Sequence, residues 1–278
     1  TEVKKNLFKK HPYRWAPIGS MEHLDAATLE EFQDFNKKFY VPNNAVLVIA
    51  GDIDFAKTKE LVSKYFGVIK KGADVPRVNI QEDEITKPIL ATAEDPNIQI
   101  PMYITAYRTP SMKTREARVL DMVSSYLSGG KSSPMQKKIV DEKKMALQLF
   151  AFNYAQEDYG MYLIAGLPMG ETTREALQTE IDAEIAKLQT ELISERDYQK
   201  LQNDFENRYV NGNSNLETLA ENLASNYLLY GDINLINEEI NIYRSITREE
   251  IRDVAKKYLN SNSRLLLDYV PAKEEAAK

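Results

Sequence analysis

The chain says nearly the same thing twice. Residues 28–47, TLEEFQDFNKKFYVPNNAVL, align without a gap on residues 247–266, TREEIRDVAKKYLNSNSRLL, at an offset of 219. The pairs Thr28/Thr247, Glu30/Glu249, Glu31/Glu250, Asp34/Asp253, Lys37/Lys256, Lys38/Lys257, Asn43/Asn262 and Leu47/Leu266 are identical. Each copy reads as a threonine N-cap with glutamate three residues on, the pattern of a capping box. A helix follows, then an asparagine stop, then an apolar strand. A repeat of this kind constrains the fold most, because each copy must close the same kind of unit.

The rest of the chain divides around the two copies. Residues 28–40 read as a helix, 45–51 as a strand apolar on both faces, and 54–67 as a second helix capped by Asp54. Residues 68–84 carry glycine, proline and mixed charge without periodicity, the pattern of a linker. Strands are expected at 85–93 and 98–107, and helices at 114–127 and 132–144. Two further strands, 146–154 and 160–167, are joined by a short connection. Leu177, Ile181, Ile185, Leu188 and Leu192 then form a helical stripe. Helices near 194, 215–230 and 233–243 lead to the repeated helix 247–259 and a last strand, 263–270. The expected fold class is α+β, with an antiparallel-rich sheet and packed helices in residues 85–270. Residues 1–67 read as the C-terminal half of a related domain, 68–84 as a linker and 271–278 as a tail. With equal copies, 85 − 219 = −134, so about 130 residues of the first copy are expected upstream.

Composition narrows the function. With 36 basic and 42 acidic residues the net charge is −6, which argues against a nucleic-acid surface. No apolar run reaches the length of a membrane span. The opening stretch is too charged for a signal peptide, and the compartment, cytoplasmic or periplasmic, is left open. There is no cysteine, which removes disulfides, thiolate metal sites and cysteine nucleophiles.

Residues 10–52 resemble the closing part of the N-terminal domain of the insulinase/pitrilysin-like zinc metallopeptidases, the M16 family. His11-Pro12-Tyr13, Gly19-Ser20-Met21-Glu22, Val41-Pro42-Asn43-Asn44 and Gly51-Asp52 carry the resemblance. Arg14 stands where the family places glycine. Residues 85–270 resemble the second domain of the same family, of the LuxS/metallohydrolase-like fold. The resemblance implies a parent zinc endopeptidase that encloses and cleaves peptides. Its zinc sits on an inverted His-x-x-Glu-His motif with a further glutamate. This chain has two histidines, His11 and His23, neither in that context, and both are read as turn or cap residues. The family's ligands precede the His-Pro-Tyr segment, so no catalytic residue, no metal ligand and no cofactor is expected in this chain.

The family's second element is an arginine and a tyrosine that hold the substrate carbonyl. Laid on residues 133–147, the two positions hold Val140 and Leu147, which cannot donate. The expected role is the non-catalytic portion of such an endopeptidase. The alternative is an inactive M16-like binding or scaffold subunit beside an active peptidase. Expected partners are a peptide substrate and the missing N-terminal half, a second M16 subunit or a homodimer, with neither nucleic acid nor membrane. Residues contacting substrate stay unassigned, although the aromatics of LFAFNYAQEDYGMY, 149–162, suit a strand lining a peptide chamber.

Other motifs have plainer readings. SGGKSS, 128–133, lacks the earlier glycine and leading strand of a phosphate loop and reads as a helix–helix turn. No Gly-x-Ser-x-Gly elbow exists. Glu238-Glu239 and Glu249-Glu250 sit at helix starts, where they favour the dipole. Residues 10–67 are expected to leave apolar surface bare, and so to pack on a second copy or be poorly ordered.

Overall fold

The structure is a computed structural model, which describes residues 1–77 and 79–272. The helices in chain order begin with α1 (Glu2–Leu7), α2 (Met21–Ala26), α3 (Leu29–Phe39) and α4 (Phe55–Phe66). Strands β1 (Ile89–Asp95) and β2 (Met102–Pro110) follow, then α5 (Arg115–Ser128), β3 (Ala146–Ala155) and β4 (Tyr159–Pro168). The remainder is α6 (Arg174–Thr190), α7 (Glu195–Gly212), α8 (Leu216–Ser225), α9 (Leu235–Ser245), α10 (Arg248–Tyr258) and β5 (Arg264–Pro271). The fold is α+β.

Two compact units result. One comprises Thr1–Trp15, Gln81–Phe205 and Asn241–Lys278; the other comprises Ala16–Ile80 and Glu206–Ile240. Packing therefore divides the chain differently from the repeat, because the first fifteen residues settle with the sheet-bearing unit. The division by ancestry, with boundaries at 67 and 85, is a separate statement and stays a proposal.

The first unit is built on a five-stranded sheet in the order β1-β5-β2-β4-β3. The β1–β5 pair is parallel and the other three are antiparallel. Both faces of the sheet are covered, which explains why β4 reads as a nearly continuous apolar run. On one face Tyr107, Leu149, Tyr162 and Ile164 meet Leu120 and Val123 of α5, Leu177 and Ile181 of α6, and Ile251 and Val254 of α10. On the other, Ala106, Met161, Leu163, Leu265 and Leu267 meet Leu7 and Phe8. A polar tie crosses the α6 side: Arg264 donates to both Asp182 oxygens at 2.5 and 3.0 Å. Gln178 donates to the same carboxylate at 2.8 Å and accepts from Thr105. The pair is bidentate and Gln178 adds a third donor to the Asp182 carboxylate, while Asp182 itself keeps a side exposed to solvent.

The helical half of the repeat is reproduced. Helices α3 and α10 are 11 residues each, and each is closed by a capping box, Thr28 with Glu31 and Thr247 with Glu250. The strand half differs. Residues 45–50 carry no regular secondary structure and enter no ladder, and Leu47 and Ile49 are 55% and 43% exposed. The expected strand fails for want of a neighbour: β5, its counterpart, has β1 on one side and β2 on the other. Smaller differences lie elsewhere. The expected helix over 132–144 is largely a π-helical turn, Gln136–Glu142, which holds Ile139 in the core. The expected helix 215–230 is α8 running without a break into a second π-helical turn, Asn226–Tyr230. Pro271 closes β5 and Ala272 donates to the Asp95 carbonyl at 3.1 Å. The rest of the expected tail, 273–278, lies outside the described residues.

Candidate functional site

The histidines do not make a metal site. His11 is buried and caps the turn Pro12–Arg14, its Nδ1 accepting from the Tyr13 N–H at 3.2 Å. Its Nε2 lies 3.3 Å from Asp158 Oδ2, and the Tyr13 and Tyr159 rings stand 4.3 and 5.4 Å away. Nδ1 is taken up by the cap, which leaves Nε2 as the ring atom nearest the carboxylate. His11 is thus a cap, as its position suggests, but an interior one rather than a surface one. His23 is exposed in α2, next to the Ser20 cap. Among the described residues no three His, Cys, Asp or Glu side chains gather as metal donors. The residues present do not fit zinc, which needs at least three such ligands.

One structural tie escaped the sequence. The Glu82 carboxylate accepts from the backbone N–H groups of Lys9, Lys10 and His11 at 2.9, 2.6 and 2.6 Å. Arg108 lies 3.4 Å away and also donates to the Leu7 and Asp83 carbonyls. Burial pushes the Glu82 carboxyl up, and the three N–H donors with Arg108 outweigh it, leaving it below the usual carboxylate range. Glu82 lies in the stretch read as a linker, 71 residues from His11. No local pattern marks such a contact.

Val140 and Leu147, at the family's arginine and tyrosine positions, have no polar role. Val140 packs on the core and Leu147 is 47% exposed on β3. SGGKSS is the end of α5 and a turn: Gly129 donates to the Ser125 carbonyl at 2.8 Å, and Ser133 Oγ to the Gly130 carbonyl at 2.6 Å. Glu249 and Glu250 open α10. Glu250 also pairs with Arg115 at 2.6 Å, which holds its carboxyl below the usual range. Glu238 and Glu239 lie in the opening turns of α9.

The surface with chemistry left to offer is β3, at one end of the sheet. Leu149 and Ala151 point into the core, while Phe150, Phe152 and Tyr154 stay 38%, 40% and 44% exposed. The Phe150 and Phe152 rings stack with centroids 6.0 Å apart, and Lys4 Nζ stands 5.3 Å over the Tyr154 ring. Asn153 pins the strand inward, donating to the Ala117 carbonyl at 3.0 Å and to Asp121 at 2.9 Å. Ser128 Oγ takes up both backbone groups of Ala151, at 2.7 and 3.1 Å. The ladder is therefore closed at mid-strand, so a ligand would use the aromatic face rather than extend the whole edge.

The family described as Peptidase M16 inactive domain matches residues 26–205. A zinc protease of Helicobacter pylori, PqqE, is 28% identical over 252 residues, covering 89% of this chain and 56% of that protein. The crystal structure of a protease from the same organism has a TM-score of 0.89 at 25% identity, over 97% of this chain and 66% of the other. An M16 inactive domain from Pseudomonas fluorescens has a TM-score of 0.84 at 14% identity, over 98% and 64%, and shows the shared fold. This chain spans little more than half the length of the curated Helicobacter relative. With the M16 match running through more than half of its residues, the chain belongs to the M16 peptidase family.

Proposed function

We infer that this chain is the non-catalytic portion of an M16-type zinc endopeptidase, and that it contacts peptide through the aromatic face of β3. The observation that carries the reading is the union of an inactive-domain family match with a donor set that does not fit zinc. No catalytic step is assigned to the chain itself. Stacked phenylalanines and a tyrosine give an unfolded peptide apolar contact without demanding a particular sequence.

Fluorescence polarisation with a labelled unstructured peptide tests the reading. Binding is expected to weaken at least ~10-fold in Phe150→Ser/Phe152→Ser, the loss of about 1.4 kcal/mol. The chain alone is expected not to cleave a fluorogenic peptide, with zinc or without. Chelator-sensitive cleavage by the purified chain would overturn the reading. The second reading is a scaffold or binding subunit beside an active peptidase. It is favoured by the absence of donors at Val140 and Leu147, and by the same fold in a chain of complex III2 from Candida albicans, TM-score 0.81 at 13% identity. The reading frame upstream of Thr1 separates the two: a His-x-x-Glu-His motif there supports the first, and its absence supports the second.

A further inference from the structure

Strand β3 is a hazard by composition. Residues 146–155, ALQLFAFNYA, hold three aromatic rings and no charge, proline or glycine. The strand lies at one end of the sheet, with β4 as its neighbour. An uncharged aromatic strand in that place is a template for another strand. Its charges sit outside: Lys143 and Lys144 come before it, Glu157 and Asp158 after it. Strand alternation turns the backbone groups of Leu149, Ala151 and Asn153 to the same edge, away from β4. At the middle one, Ser128 Oγ accepts from the Ala151 N–H at 2.7 Å and donates to the Ala151 carbonyl at 3.1 Å. Ser128 is the last residue of α5, and Gly129 and Gly130 follow it. Two glycines make a permissive hinge, so the hydroxyl holds the final residue of α5 against the edge.

We propose that the edge of β3 is a self-pairing surface for a second copy of this chain, and that Ser128 holds it shut. The pairing is antiparallel about a two-fold axis at Ala151. That register sets Phe150 of each copy across from Phe152 of the other on one face, where aromatic pairs stabilise neighbouring strands. It also brings the basic end of one strand, Lys143 and Lys144, to the acidic end of the other, Glu157 and Asp158. A parallel pairing would bring like charges together, which disfavours it. A two-fold contact of this kind closes at two copies. The Ser128 hydroxyl occupies the donor and the acceptor at the centre of the register, so the edge opens only when the end of α5 lifts away. The proposal concerns the edge of β3 and does not rest on peptide contact at its aromatic face.

Sedimentation equilibrium of the whole chain tests this. Ser128→Ala and Ser128→Gly each remove the hydroxyl, and glycine also loosens the helix end. Each is expected to dimerise at least ~10-fold more tightly than the wild type. Ser128→Thr keeps a hydroxyl and is expected to match the wild type. Hydrogen exchange locates the contact. In the two opened variants the Ala151 amide should exchange quickly at low protein concentration and slow as the concentration rises. Phe152→Lys added to Ser128→Ala puts a charge on the pairing face and should return the association to the wild-type value. Opened variants as monomeric as the wild type overturn the proposal. So does association that Phe152→Lys leaves unchanged, which would place it on another surface. A wild-type dimer already paired through β3 overturns it as well, because Ser128 would then guard nothing.

Discussion

Glu82 shows how much a single carboxylate can hold. It is 2% exposed at the side chain and receives three backbone donors, so its charged form is favoured in the folded chain. Its folded value lies below the ordinary glutamate value of about 4.3. The stabilisation is therefore full above that value and is lost as pH falls through the lowered one. Glu82→Gln keeps the shape and removes the charge, and should destabilise the sheet-bearing unit by about 2–3 kcal/mol at neutral pH. Urea unfolding at neutral and acid pH checks this. The gap between wild type and variant should narrow as acid protonates Glu82, and a pH-independent gap would contradict the account. His11 makes a second residue test. His11→Asn keeps an acceptor for the Tyr13 N–H, whereas His11→Ala leaves it without one and should cost about 1–2 kcal/mol more. The sequence hid this site for a physical reason. The donors at 9–11 and the acceptor at 82 meet only in tertiary structure, and a glutamate in a mixed-charge stretch looks like any solvated one.

Elements whose determinants are local were legible. A capping box needs only a threonine and a glutamate three residues on, so both α3 and α10 could be placed from the sequence, caps included. The strands β3 and β4 followed from length and apolar content. Residues 45–51 were misread because an apolar run reports what a strand needs, not whether its neighbours are present. The paired helices turn that difference into an experiment. Thr28→Ala and Thr247→Ala remove equivalent caps, each worth about 1 kcal/mol to its helix. Only α10 lies under core side chains, with Ile251 and Ala255 at 0% exposed. Thr247→Ala should therefore lower the unfolding free energy of the sheet-bearing unit by about that amount. Thr28→Ala should raise exchange rates in α3 alone and leave the unit's unfolding unchanged. Equal global effects from both would show that α3 is packed in solution as α10 is.

At the scale of the whole molecule, the two units differ in what they bury. The sheet-bearing unit has apolar side chains closed in on both faces of its sheet. In the other, Val41 and Ile240 are the buried apolar side chains among the described residues, while Leu29, Phe32, Phe35, Phe55 and Tyr65 stay exposed. Stability scales with buried apolar area, so the second unit should open at much lower free energy than the first. Limited proteolysis reads this directly. Early cuts are expected within Ala16–Ile80 and Glu206–Ile240, with Gln81–Phe205 surviving longest; early cuts in β2, α5 or β4 would contradict it. Metal dependence should not alter that order. A native zinc ion would stabilise by mass action, and chelation would then lower the melting temperature by several degrees. Among the described residues the donors do not gather, so excess EDTA should leave both the melting temperature and the order of cuts unchanged. A chelator-induced drop would mean that side chains far apart in this fold meet around a metal.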